Sequence, residues 1–344
     1  MIPLPLRGRA ALDNPPARFL QQRREADWPE VSPQTTVHDD RSRTILVRNQ
    51  SPDVPFTWSL NPYRGCEHGC IYCYARPTHE YLDLSPGLDF ETEIFVKRDA
   101  ARLLRQELAR PSWEPSLIGL SGVTDCYQPL ERRLELTRQC LEVLAEFRNP
   151  VSIVTKSRLI TRDVDLLREL AEHEAVSVAI SLTTLDKELA RVMEPRAAQP
   201  QGRLATIRQL AAAGVPVGVM LAPIIPGLTD HEVPALLAAA REAGASFAAY
   251  TMLRLPFGVK QLFQDWLRTH YPGREKRVLR RIREVRGGRL NDPRFGTRMK
   301  GEGLWADLLR QTFELHHKRL GYGPWPTLAT TAFRRPSARQ RLLF

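Results

Sequence analysis

From about residue 56 onward, short apolar runs alternate with amphipathic stretches. Residues 57–63 read as a strand that leads into a cysteine-bearing loop. Residues 117–122 form an apolar run ending at polar Thr124 and Asp125. Residues 131–147 place Leu134, Leu141 and Leu144 among the apolar positions of a helix. The alternation then repeats. Strand 151–155 precedes helix 162–174. Strand 176–182 precedes a short helix near 186–192 and a longer one at 202–213, which Gly214 ends. Strand 215–222 stops at Pro223, helix 230–243 stops at Gly244, and strand 247–253 follows. Strand–helix repetition with short connections predicts a parallel sheet covered by helices.

About six such units fit between residues 56 and 256, as an open doubly wound sheet or as a complete or partial barrel. Both folds place chemistry at the carboxyl ends of the strands. Polar residues gather there: Thr124 and Asp125, Lys156 and Ser157, Ser181 with Thr183 and Thr184, and Arg254. The predicted organisation is an N-terminal arm over 1–55, a core over 56–256 and a helical extension with tail over 257–344. The arm is rich in Pro and both charge signs and is expected to be extended, with little core of its own. In the extension, 259–271, 275–286 and 304–320 read as helices, and the tail from 321 is rich in Pro and Arg.

Charge changes the picture at one end. From Thr251 onward there are 21 Lys or Arg against 7 Asp or Glu, so the net +11 of the chain resides in its last quarter. Residues 275–289 hold seven of these cations around an apolar seam of Val278, Ile282 and Val285. Such a face suits a phosphate backbone, contacted by outward-facing Lys276, Arg277, Arg280, Arg281, Arg283 and Arg286, with Trp266, Tyr271, Phe295 and Trp305 available to stack on bases. The alternatives are a solvated basic face beside aromatics that fill a core and an amphipathic helix on an anionic membrane. No apolar run is long enough to span a bilayer, and residues 1–20 lack the apolar core of a signal peptide, so the expected location is cytoplasmic. Hydrolase and nicotinamide-dehydrogenase readings have no motif to rest on: there is no P-loop, no GxGxxG and no nucleophile elbow.

The stretch GCEHGCIYCYARP, residues 65–77, carries the chemistry. It spaces Cys66, Cys70 and Cys73 as Cys-x3-Cys-x2-Cys with Tyr72 before the third thiol. Three thiolates on a four-iron cube leave one iron open, whereas fully ligated ferredoxin clusters take four cysteines. Structural zinc also takes four ligands, and His68 or His79 is available to complete such a site. Gly65 and Gly69 suit a tight loop passing close to a cluster. The remaining cysteines are Cys126, just past Asp125, and Cys140, on a predicted helix with Leu136, Val143 and Leu144.

This spacing with its aromatic residue resembles the signature of the radical S-adenosylmethionine (SAM) superfamily. The resemblance implies a partial (βα)6 TIM-like barrel over 56–256. It also implies a [4Fe–4S] cluster on Cys66, Cys70 and Cys73, SAM as second cofactor, and an electron donor such as a flavodoxin or ferredoxin. GCEHGCIYCYARPT, VTDC, VTKS and MEPRAAQPQGRLATIRQLAAAGVPVGVMLAPIIPG together resemble the spore photoproduct lyase branch, with its photolyase-like bacterial members. Carried over by position, Lys156 and Ser181 reach the carboxylate or ribose of SAM, and Ser121 and Gly122 receive its amino group. Tyr72 and Tyr74 pack on the adenine side, and the backbone near Ala222 meets the adenine. The chain departs from the lyase at Gly122, where the lyase has its hydrogen-donating cysteine. Cys126 is then either a displaced donor or a small residue of the core.

The resulting expectation is an enzyme that cleaves SAM reductively to a 5′-deoxyadenosyl radical, acting on a nucleic acid or nucleotide, with DNA or RNA bound by the basic extension. The competing expectations are a small-metabolite or peptide substrate, and a non-catalytic iron–sulfur or zinc protein that binds nucleic acid.

Overall fold

The computed structural model describes residues 8–19 and 34–336, so parts of the expected arm (1–7, 20–33) and tail (337–344) lie outside the described residues. Its strands are β1 (Thr36–Asp39), β2 (Leu46–Arg48), β3 (Trp58–Leu60), β4 (Tyr63–Arg64), β5 (Glu93–Val96), β6 (Ile118–Leu120), β7 (Val151–Thr155), β8 (Val176–Ser181), β9 (Val217–Ile224) and β10 (Phe247–Met252). Six of them, β3, β6, β7, β8, β9 and β10, lie side by side in parallel in that order, and β2 runs antiparallel along the β3 edge. This is the expected α/β fold with a six-stranded parallel core. β10 and β2 stand at opposite ends of the strand order.

Residue size explains how the sheet leaves room for a site. In β8, Val176, Val178 and Ile180 belong to the main hydrophobic core. Side chains alternate across a strand, so Ser177, Ala179 and Ser181 face the other way. The register aligns Gly119 with Ser152, Ser152 with Ser177, and Ala179 with Gly218. The face away from the helices is therefore lined with small residues, while the helix side is filled by Leu, Ile and Val.

The extension bridges the flank of the sheet. Lys300 donates to the Tyr250 carbonyl of β10 at 3.1 Å. Four residues earlier, the Gly296 N–H donates to Asp53 in the β2–β3 turn at 2.7 Å, and Arg298 pairs with the same carboxylate. The tail crosses the end of the sheet where the strands begin. Trp325 packs on Phe247 at 4.6 Å, the Ala329 N–H donates to Glu174 O, the Arg334 N–H to Phe147 O, and Arg335 to Trp113 O.

Several boundaries differ from expectation. The strand expected over 57–63 is two strands in different sheets, β3 and β4, because the chain leaves the large sheet after Leu60 and β4 joins a small sheet ordered β1–β5–β4. The helix expected over 131–147 breaks at Glu135, which is left-handed with φ 52°, into Glu131–Leu134 and Leu136–Phe147. β9 runs past Pro223 to Ile224. The first 55 residues supply β1 and β2 and bury Ala10, Ala11 and Ile45, so they are less arm-like than their composition suggests. In the extension, helices Val259–His270, Glu275–Glu284 and Leu304–Arg319 follow the reading closely. No helix among the described residues is long and apolar enough to cross a membrane.

Candidate active site

The cysteine loop leaves β4 through Gly65, which is left-handed (φ +79°), as is Gly69 (φ +64°). A methyl group on Gly69 would stand 2.7 Å from the Glu91 Oε2. Glu91 is fixed there: it pairs with Arg76 at 2.6 Å and accepts the N–H groups of Ala10 and Ala11 at 3.3 and 3.0 Å. Arg76 is fully buried and is the loop's internal brace. It donates to the carbonyls of Gly69, Cys70, Pro86 and Gly87 at 2.9–3.1 Å. A buried guanidinium satisfied by four carbonyls and a carboxylate holds the backbone rigidly.

Within this frame Cys66 and Cys70 are buried and Cys73 is half-buried. Cys66 packs with Ala75 and Phe90, Cys70 with Ile71 and Tyr72, and Cys73 touches both groups. The Cys73 N–H donates to the Cys70 carbonyl at 3.2 Å. Burial pushes the Cys66 thiol well up, with Asp125 adding to it. Burial pushes the Cys70 thiol up to about 12 against the opposing pull of Lys156. Both stay protonated until a metal displaces the proton.

Cys126 and Cys140 are fully buried in the main core and stand apart from the loop's own apolar groups. Cys126 is held there by its N–H on Ser121 Oγ at 2.9 Å and its carbonyl on Thr137 Oγ1 at 2.6 Å. This enclosure gives no support to the hydrogen-donor reading. Among the described residues no group of three or more His, Cys, Asp and Glu converges on a position for one metal ion. His79 is buried with its Nε2 2.9 Å from Glu93 O, and His68 lies with its Nδ1 3.3 Å from Asp125.

The strand ends close around this loop. After β6, Thr124 Oγ1 and the Gln128 amide donate to Gly65 O at 2.7 and 3.2 Å. Ser121 is left-handed (φ 82°), and the Gly122 carbonyl accepts the Tyr74 hydroxyl at 2.7 Å. Asp125 accepts from Thr155 Oγ1 at 2.7 Å, from the Lys156 N–H at 2.9 Å and from the Tyr127 N–H at 3.0 Å. Burial would raise this carboxyl, but His68, Lys156 and Thr155 outweigh it and hold it well below the usual carboxylate range. The Lys156 ammonium lies 5.9 Å from the Tyr72 ring centre. Burial would lower it, but Cys70, Glu194 and Asp125 outweigh burial and raise it.

Behind Tyr72 lies a buried network that sequence reasoning missed. The Glu194 carboxylate accepts from Tyr72, from Arg203 and, at 2.8 Å, from Thr183. Arg203 also donates to Ser181 O at 3.1 Å and Ala198 O at 2.7 Å. Tyr72 and the Ser181 carbonyl are thus joined through Glu194 and Arg203, with Lys156 on the Tyr72 side. Ala222 is half-buried near the end of β9, and Tyr74 is 48% exposed. Glu194 and Arg203 fall in the MEPR…GR stretch, but nothing in their spacing marks them as buried partners. Glu91 carries no signal at all.

The basic helix needs correction at two kinds of residue. Arg286, expected on the outward face, is 1% exposed; it donates to Leu253 O and Thr297 O, and burial pushes its guanidinium down to about 10. Trp266, expected as a stacking platform, is fully buried with its indole N–H on Val192 O. Trp305 lies under Arg281 at 4.0 Å, so of the four aromatics Phe295 is the one among the exposed large hydrophobics.

Comparison with known proteins agrees with this geometry. The radical SAM superfamily model matches residues 60–240. An uncharacterised protein of Mycobacterium tuberculosis is 42% identical over 242 residues, covering 69% of this chain and 71% of that one. An uncharacterised protein of the Acidianus two-tailed virus is 31% identical over 173 residues, covering 49% of this chain and 56% of its own. The solved structure of spore photoproduct lyase complexed with dinucleoside spore photoproduct shares the fold, with a TM-score of 0.59 at 16% identity over 83% of this chain and 80% of that one. A mutant of the same lyase gives 0.60 at 17% identity with the same coverage. The chain belongs to the radical SAM superfamily, enzymes that work with a [4Fe–4S] cluster, SAM and a reductant.

Proposed function

We propose that Cys66, Cys70 and Cys73 bind three irons of a [4Fe–4S] cluster and leave the fourth open to SAM. The observation that carries this reading is the loop: three thiols on one rigid turn, with the other two cysteines buried in the core. When bound and reduced, the cluster supplies a 5′-deoxyadenosyl radical from SAM for hydrogen-atom abstraction. The chain's own residues bind and orient. The Lys156 ammonium, raised and half-buried beside Tyr72, suits the carboxylate of SAM as a point charge. The backbone at Ser121 and Gly122 takes the amino group, Ser181 the ribose or carboxylate, and the backbone at Ala222 the adenine, with Tyr72 and Tyr74 on the adenine side. Cys126 is assigned no part. A small electron-transfer protein such as a flavodoxin or ferredoxin supplies the electron, and five free thiols suit a reducing compartment such as the cytoplasm.

The substrate reading is a nucleic acid or nucleotide. It is supported by the fold shared with spore photoproduct lyase and by the exposed Lys276, Arg277, Arg280 and Arg283 of the basic helix. The test is anaerobic reconstitution, reduction with dithionite and chromatography for 5′-deoxyadenosine. Release of 5′-deoxyadenosine from SAM supports the reading; an intact cluster that neither binds nor cleaves SAM defeats it.

A further inference from the structure

Beside Tyr74 lies an arginine that feels Asp53 only at a distance, because that carboxylate is paired with Arg298. Arg76 is paired with Glu91, Arg203 with Glu194 and Arg298 with Asp53. Arg254, two residues past β10, has no carboxylate within ion-pair distance among the described residues. Its guanidinium meets the Met299 sulfur at 3.6 Å and the Tyr74 ring at 5.2 Å. It is half-buried, and both burial and the neighbouring Arg298 hold its pKa below the ordinary arginine value. A partly desolvated charge left beside another cation is unfavourable by itself and favourable once an anion arrives.

The surroundings define the anion. Tyr74 follows Cys73 directly, its hydroxyl donates to Gly122 O, and the residue is 48% exposed. Phe295 is 57% exposed, and Arg298 lies 4.3 Å from its ring centre. Arg298 is in turn held by Asp53 and Ser51, so this cation is braced across the flank of the sheet. Exposed rings beside guanidinium groups are the combination that binds a base by stacking and its phosphate by charge.

We propose that Arg254 anchors a phosphate of the substrate, with Phe295 as the platform for its base; this rests on the radical SAM site described above. The phosphate belongs either to a nucleic-acid strand or to a free nucleotide, and two probes separate these sources.

The experiment is calorimetric titration of the anaerobically reconstituted holoenzyme, with SAM present. The probes are the dinucleotide TpT, its uncharged methylphosphonate analogue, thymidine 5′-monophosphate and inorganic phosphate. Arg254→Gln is expected to weaken TpT or the monophosphate roughly tenfold or more, the size of a lost charge-assisted contact. Arg254→Lys should restore part of the loss, which a merely misfolded variant would not. The methylphosphonate should bind the parent weakly and be indifferent to the substitution. Dependence with TpT identifies a strand; dependence with the monophosphate alone identifies a free nucleotide. Phe295→Leu should weaken the nucleotides and leave inorganic phosphate unchanged. The proposal is overturned if neither nucleotide binds the parent, if Arg254→Gln binds as the parent does, or if the neutral analogue loses as much. Iron content and SAM binding of the same preparation test the cluster reading separately. A protein that holds both yet shows no Arg254-dependent binding overturns this inference alone, and one that lacks the cluster but shows it overturns the other alone.

Discussion

The hydroxyl of Tyr72 donates to the carboxylate of Glu194, and this contact ties the cysteine loop to the segment that follows β8. The same carboxylate neutralises Arg203, which is buried on the far side. Removing the acid leaves a buried guanidinium unpaired, whereas removing the phenol leaves Glu194 with Arg203 and Thr183. Glu194→Leu is therefore expected to cost about 3–5 kcal/mol of stability, and Tyr72→Phe about 1 kcal/mol. Urea unfolding of the cluster-free protein measures both. Equal losses would show that the ion pair is not what holds the network.

Lys156→Ala should weaken SAM binding roughly tenfold, the worth of one charge-assisted contact, with iron content kept. The readout is equilibrium dialysis of labelled SAM against the reconstituted protein. Unchanged affinity would remove Lys156 from the binding site.

Gly69→Ala places a methyl 2.7 Å from Glu91 Oε2 and a side chain on a left-handed residue. The clash falls on the oxygen that accepts the Ala10 N–H and so displaces the carboxylate whose other oxygen holds Arg76. The expected outcome is a folded protein with much reduced iron uptake, measured by colorimetric iron assay after reconstitution. Gly214→Ala is the control: it also has positive φ but meets nothing within 4 Å, so it bears the strain without the clash and should keep its iron.

His79 is buried against Phe90 and Phe95, and burial pushes its pKa from 6.5 to about 4. The unfolded chain takes up a proton as pH falls below 6.5, while the folded chain waits until about 4. The stability His79 contributes is thus fully present above pH 6.5 and lost as pH falls toward 4, on the order of 3 kcal/mol. Unfolding of the cluster-free protein across this range should show a steeper loss for the parent than for His79→Phe. Parallel curves would place the acid sensitivity elsewhere.

The sequence was most informative where one physical rule acts alone. β7 at Val151–Thr155 and the helix beginning at Leu304 follow directly from hydrophobic patterning. The three-cysteine spacing identified the loop because those thiols have a chemical reason to be near one another. What was not legible depends on partners far apart in the chain. Glu91 sits 15 residues from Arg76, and Glu131 receives the Tyr63 hydroxyl across 68 residues, with no local mark on either acid. Arg286 was misread because a helical period assigns faces only on the assumption that a charged side chain points outward; the chain turns at Gly287 and Gly288 and Arg286 is drawn under the loop at Thr297. Trp266 follows the packed-core alternative, since an aromatic near cations is as well suited to a core as to a base.

The central claim is tested most directly by iron analysis of anaerobically reconstituted protein alongside its five single Cys→Ala variants. The account predicts about four irons per chain in the parent, loss of the cluster with Cys66→Ala, Cys70→Ala or Cys73→Ala, and retention with Cys126→Ala and Cys140→Ala. One tightly bound zinc with no iron, or a cluster that survives loss of any of the three loop cysteines, would contradict it.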